Sequence, residues 1–113
     1  MGCDIIVNMK KPRKVKIGFY SWKIEWAKDK AEEMYGKTEV MTKTITIYKS
    51  PNAQVERETL FHELLHAAGE DKYDSIFHFS GGDKEENLIR VLSPVLMQVL
   101  SDNRELTSYL FGL

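Results

Sequence analysis

The chain has 113 residues with 16 basic and 17 acidic side chains, a size that supports one hydrophobic core and not two. Its net charge of −1, with acids and bases interleaved, excludes a strongly cationic nucleic-acid groove or membrane-binding face. A lone cysteine, Cys3, excludes an internal disulfide, and the apolar run Ile5-Ile6-Val7 is far too short for a signal or membrane segment, so a reducing cytoplasm is the expected compartment.

Residues 1–14 are weakly specified, a short strand or a partly ordered arm. The basic run Lys10-Lys11-Pro12-Arg13-Lys14 is broken by proline and reads as a solvated connection. Val15, Ile17 and Phe19 alternate with Lys16 and Gly18, which is strand periodicity. Tyr20, Trp22, Ile24 and Trp26 continue the alternation, so the strand either runs on or turns near Ser21. Residues 25–35 are charged, with Ala27, Ala31, Met34 and Tyr35 at helical spacing and Gly36 as a stop, which predicts an amphipathic helix. Trp22, Trp26 and Tyr35 are expected in the core, the usual place of large aromatics.

Residues 39–49 give the clearest strand: Ile45 and Ile47 point one way, while Thr44, Thr46 and Tyr48 point the other. The threonine face suits solvent or a bound peptide, and an edge position would let an extended chain pair with it along 42–48. Ser50-Pro51-Asn52 then opens a helix over 53–68, with Asn52 as cap, Glu56 in the first turn and Gly69 past the end. Leu60, Phe61, Leu64, Ala67 and Ala68 form its apolar back; Val55, Thr59, His62, Glu63 and His66 form the front.

A loop follows with Glu70, Asp71 and Asp74, then the apolar piece Ile76-Phe77-His78-Phe79 and the breaker Ser80-Gly81-Gly82-Asp83. The last long helix starts near Asp83 and carries Leu88, Leu92, Val95, Leu96, Val99 and Leu100, with Pro94 set to kink or split it. A short helix over 104–111 closes the chain. The fold class is α+β: a small antiparallel or mixed sheet with an edge strand over the 53–68 helix, and a glutamate-bearing helix near the C-terminus.

On the front of the 53–68 helix lies His62-Glu63-Leu64-Leu65-His66. Histidines four residues apart stand one turn above each other and can bind one metal ion without bending the backbone. Glu63 is rotated partly away and can face a water on that ion, the H-E-x-x-H arrangement of zinc peptidases. A catalytic zinc site needs a third protein ligand. The metzincin extension H-E-x-x-H-x-x-G-x-x-H matches as far as Gly69 and fails at Lys72, because an ammonium cannot ligate zinc; Asp71 comes one position early. His78, between Phe77 and Phe79, and Glu85 and Glu86, which begin the last long helix, are the other candidates.

In these glutamates the chain resembles the gluzincin peptidases, whose third ligand is a glutamate on a later helix, often beginning E-x-x-x-(D/N). Set on Glu86, the pattern puts Arg90 at the acidic or amide position; set on Glu85, it puts Ile89 there. The helical wheel instead favours Glu85, nearer the Leu88/Leu92/Val95/Val99 stripe. Glu86 is the preferred ligand, with Glu85 kept open. The order of elements from about residue 15 to 103, including the closing Leu96-Met97-Gln98-Val99-Leu100-Ser101-Asp102-Asn103, resembles the minimal phage and bacterial metallopeptidases of the ImmA/IrrE group without their helix-turn-helix domain. Only the H-E-x-x-H part of that likeness is specific.

The resemblance implies a minimal zincin-like domain that binds Zn²⁺ through His62, His66 and Glu86 and acts on a peptide or protein, in the host cytoplasm if phage-encoded. It implies Glu63 as general base and then acid, with His78 or Tyr73 steadying the oxyanion, and it implies neither nucleic-acid nor membrane binding. Two other readings stand beside it: a non-catalytic zinc-binding protein acting on a host factor, and an α+β interaction protein in which His62 and His66 merely decorate a helix.

Overall fold

The computed structural model describes residues 10–70 and 84–113, and of 84–86 the backbone alone. Cys3, Asp71, Lys72, Tyr73, His78, the apolar piece at 76–79 and the breaker ending at Asp83 lie outside the described residues. The described chain is an α+β domain: a mixed four-stranded sheet and three helices.

Two-residue periodicity builds the first two strands, β1 (Lys14–Ile17) and β2 (Tyr20–Trp26). They form an antiparallel hairpin that turns at Gly18-Phe19, where Gly18 takes a positive φ of 59°, earlier than the expected turn near Ser21. Glu25 and Trp26 complete β2, and no helix occurs at 25–35. There the helical spacing loses to tertiary pairing. Ala27 N–H donates to the Ile47 carbonyl and Lys49 N–H to that of Asp29, tying the segment to the sheet instead of to itself.

The strand expected over 39–49 is in fact a hairpin. β3 (Gly36–Glu39) and β4 (Thr44–Ile47) pair antiparallel around a turn in which Lys43 N–H donates to the Val40 carbonyl. β4 also pairs parallel with β2, giving the order β1-β2-β4-β3. β4 is therefore an interior strand, and Thr46 on its supposedly open face is buried. An interior strand has spent its main-chain groups on both neighbours, so 42–48 cannot receive a peptide. The edges are β1 and β3.

Register puts Val15, Trp22, Ile24, Ile45 and Ile47 on one face, and cross-strand pairing adds Gly36 and Thr38 to it. That face is covered by α1 (Ala53–Gly69), α2 (Lys84–Asp102) and α3 (Arg104–Phe111). Leu60, Leu64, Ala67 and Ala68 of α1, Val99 of α2, and Leu106 and Tyr109 of α3 meet the sheet in one core, while Trp26, Phe61 and Val95 are only partly buried. The opposite face carries the exposed pairs Lys23–Glu25 and Lys37–Glu39. Hydrogen bonding and the charge of Glu39 hold the Lys37 ammonium above its ordinary range.

α1 begins where expected, with the Asn52 side chain accepting from Gln54 N–H at 2.7 Å. It extends one residue further than expected, through Gly69. α2 is continuous through Pro94, and the neighbouring Ser93 hydroxyl donates back to the Ile89 carbonyl at 2.6 Å. The outer edge of β1 is closed at the joint between α2 and α3. Asn103 Oδ1 accepts from Lys16 N–H, Asn103 Nδ2 donates to the Lys16 carbonyl, and Gln98 accepts from Gly18 N–H. Among the described residues, no helix is long and apolar enough to cross a membrane.

Candidate active site

α1 lies across the sheet with its apolar back inward and presents His62 and His66 to solvent. The two imidazoles sit one turn apart with ring centroids separated by 4.9 Å and planes at 71°. Among the described residues, neither ring has a hydrogen-bond partner.

Glu63 behaves differently from its neighbours. The helical wheel puts it on the open front, yet it is only 8% exposed. The cover comes from the edge strand. A Cβ on Gly36 would lie 2.7 Å from Thr59 Cγ2 and 3.2 Å from Glu63 Cγ, so β3 rests directly on this part of α1 because position 36 has no side chain. Two residues on, on the same face, Thr38 Oγ1 donates to Glu63 Oε1 at 2.8 Å and lies 3.1 Å from the Glu63 carbonyl oxygen. A buried carboxylate requires such a donor. No described residue donates to the second carboxylate oxygen, Oε2.

A cleft of about 380 Å³ opens between this strand and the helix. Its walls are Glu33, Met34, Tyr35 and Gly36 on one side and Glu58, Thr59, His62 and Glu63 on the other. Tyr35, expected in the core, is 60% exposed and lines this cleft instead; Trp22 is buried as expected. Tyr48 N–H donates to the Tyr35 carbonyl, which sets the phase of the β3–β4 ladder. In an antiparallel ladder, alternate residues face alternate sides, so Lys37 and Glu39 face β4 while the main-chain groups of Gly36 and Thr38 face outward. No described residue pairs with that outer edge. One sheet edge is thus closed by Asn103, and the other, beside Glu63, has no pairing partner among the described residues.

The donor set tests whether a metal fits. Two solvent-facing imidazoles on one helical face suit two positions of a tetrahedral zinc site. Among the described residues there is no group of three or more metal-binding side chains. The preferred third ligand, Glu86, and its rival, Glu85, lie in the first turn of α2, where only the backbone is described. α2 itself passes the C-terminal end of α1: a Cβ on Gly69 would lie 3.7 Å from Leu92 Cδ2.

His62, Glu63 and His66 share one turn of α1 as their spacing predicts, whereas Gly36 and Thr38, which adjoin Glu63, are not singled out by the sequence because Gly36 reads as a helix stop. A Gly-x-Thr pair ahead of the Ile45/Ile47 strand was the available signal, legible only once a hairpin at 36–47 is considered. No protein-family model, curated protein or solved structure matches the chain.

Proposed function

We propose that the chain is a zinc-dependent metallopeptidase in which His62, His66 and Glu86 hold the ion and Glu63 is the general base. The observation that carries this reading is the state of Glu63. It is a buried carboxylate with one oxygen held by Thr38, next to two exposed imidazoles and on the wall of a cleft whose edge strand has no pairing partner among the described residues. A structural helix position has no need of that combination.

When bound, zinc supplies a Lewis acid and lowers the pKa of a coordinated water towards about 7. Glu63 takes the proton of the attacking water and later returns it to the leaving amine, while Thr38 keeps hold of Oε1. The substrate backbone adds to the outer edge of β3 through Gly36 and Thr38, which takes over the role first expected of 42–48. His78 and Tyr73 remain the proposed donors to the oxyanion.

The test pairs zinc titration against a chromophoric chelator with cleavage of fluorescein-labelled casein. Glu63→Gln is expected to bind zinc like the wild type and to lose turnover by at least about 100-fold. His62→Ala and Glu86→Ala are expected to weaken zinc binding, and chelation followed by zinc addition to abolish and restore cleavage. Wild-type protein that binds no zinc overturns the proposal. Zinc binding without turnover leaves the non-catalytic zinc-binding protein, and weakened binding in Glu85→Ala moves the third ligand to Glu85.

A further inference from the structure

The edge strand does more than border the cleft. The hydroxyl of Thr38 is 2.8 Å from Glu63 Oε1, and its main-chain N–H and carbonyl face the outer edge of the sheet, where no described residue pairs with them. One residue therefore touches the proposed base with its side chain and offers its backbone to an incoming extended chain. Gly36, two positions earlier on the same face, makes the arrangement possible, because any Cβ there would push the strand off Thr59 and Glu63. The consequence concerns orientation. A glutamate on a helix has three rotatable side-chain bonds, and one strong hydrogen bond to a carboxylate oxygen removes most of that freedom.

We propose that Thr38 is a positioning residue for Glu63: its hydroxyl fixes the carboxylate rotamer so that Oε2 faces the cleft, and a peptide pairing with β3 is registered against the same residue. The kinetic part of this inference rests on the peptidase reading; the geometric part does not. Thr38 is not a metal ligand, so its removal leaves zinc affinity alone. It acts on the proton-transfer step through Glu63, so its removal lowers kcat and leaves KM alone. A serine keeps the hydroxyl and loses only a methyl group.

The experiment compares wild type, Thr38→Val and Thr38→Ser. The first readout is the side-chain carboxyl carbon resonance of Glu63 in zinc-free protein labelled with ¹³C-glutamate, assigned by its absence in Glu63→Gln. Wild type and Thr38→Ser are expected to give one sharp, coincident line, and Thr38→Val a shifted or broadened one. An unchanged line in Thr38→Val overturns the proposal whether or not the protein is a peptidase. The second readout is zinc titration, where both variants are expected to match the wild type; weakened binding in Thr38→Val reassigns the residue to the metal site and overturns the proposal. The third is casein cleavage by zinc-loaded protein, with kcat about tenfold lower in Thr38→Val, KM within twofold, and kcat recovered in Thr38→Ser. Equal kcat in Thr38→Val and wild type, or a drop that serine does not rescue, overturns the positioning role. Wild-type protein that cleaves nothing overturns the peptidase reading and the kinetic role together, with the resonance still deciding whether Thr38 holds Glu63.

Discussion

Gly36 shows how much one missing Cβ can decide. Its absence lets β3 settle against α1, and that contact turns Glu63 from an exposed helical residue into a buried, hydrogen-bonded one. An added methyl group would meet not only Thr59 Cγ2 but also the Thr46 carbonyl at 3.0 Å, which belongs to the paired strand and cannot step aside. Gly36→Ala is therefore expected to cost about 1–3 kcal/mol in chemical denaturation. If the strand lifts to make room, Thr38 loses its reach to Glu63, so the Glu63 carboxyl resonance is expected to move, as expected for Thr38→Val. A variant as stable as the wild type with an unmoved resonance would show that β3 does not rest on the helix. The histidines were legible at this scale because their spacing alone gives them a common face. Glu63 was legible as a motif member but not as a buried group, since the residues that cover it lie 25 or more positions earlier.

At the scale of elements, α1 is the part of the fold most fully written in local chemistry. Its cap, first-turn acid and apolar back all agree with one another. Asn52 satisfies Gln54 N–H, and Glu56 reaches both Lys11 Nζ at 3.1 Å and Ser50 N–H at 3.3 Å. Asn52→Ala is expected to cost about 1 kcal/mol of folding stability, and Asn52→Gly a few tenths, measured by urea denaturation. An Asn52→Ala variant as stable as the wild type would mean that the side-chain cap contributes little. The segments before α1 were read less well. Helical spacing at 25–35 is real, but Trp22, Ile24 and Trp26 continue a strand whose partners, β1 and β4, lie on both sides. Likewise the run at 39–49 does contain a strand. What alternation could not reveal was that Val40 to Lys43 form a turn, or that a parallel partner makes β4 an interior strand.

Over the whole molecule, the N-terminal segment, the start of α1 and α3 are joined around Trp26 and Tyr109. Their rings meet edge to face at 5.4 Å, Trp26 Nε1 donates to the Pro12 carbonyl at 2.7 Å, and Lys11 Nζ lies 4.7 Å from the Trp26 ring centre. Burial pushes the Tyr109 phenol from its ordinary 10.0 up to about 12; the Glu56 carboxylate adds to the rise and the Arg57 guanidinium opposes it. The neutral phenol is thus favoured in the folded protein. Between about pH 10 and 12, the unfolded chain releases this proton while the folded one keeps it, so stability falls with rising pH. Stability is expected to decline between pH 9 and pH 11 by an amount on the order of 1 kcal/mol that Tyr109→Phe does not show, as read from denaturation at those two pH values. Parallel losses in the two proteins would assign the alkaline sensitivity to other groups.

Local and periodic features are written in the residues themselves: a capped helix with an apolar back, two histidines one turn apart with a carboxylate beside the first, β-alternation before it, and a final short helix over 104–111. Each follows from residues within a few positions of one another. Strand order, the identity of the edge strands and the cover over Glu63 come from the tertiary structure. Those depend on non-local contacts: a parallel pairing of β2 with β4, an asparagine at 103 closing β1 at Lys16, and a glycine at 36 that lets Thr38 reach Glu63. No window along the chain contains such contacts, because their partners become neighbours only when the core closes.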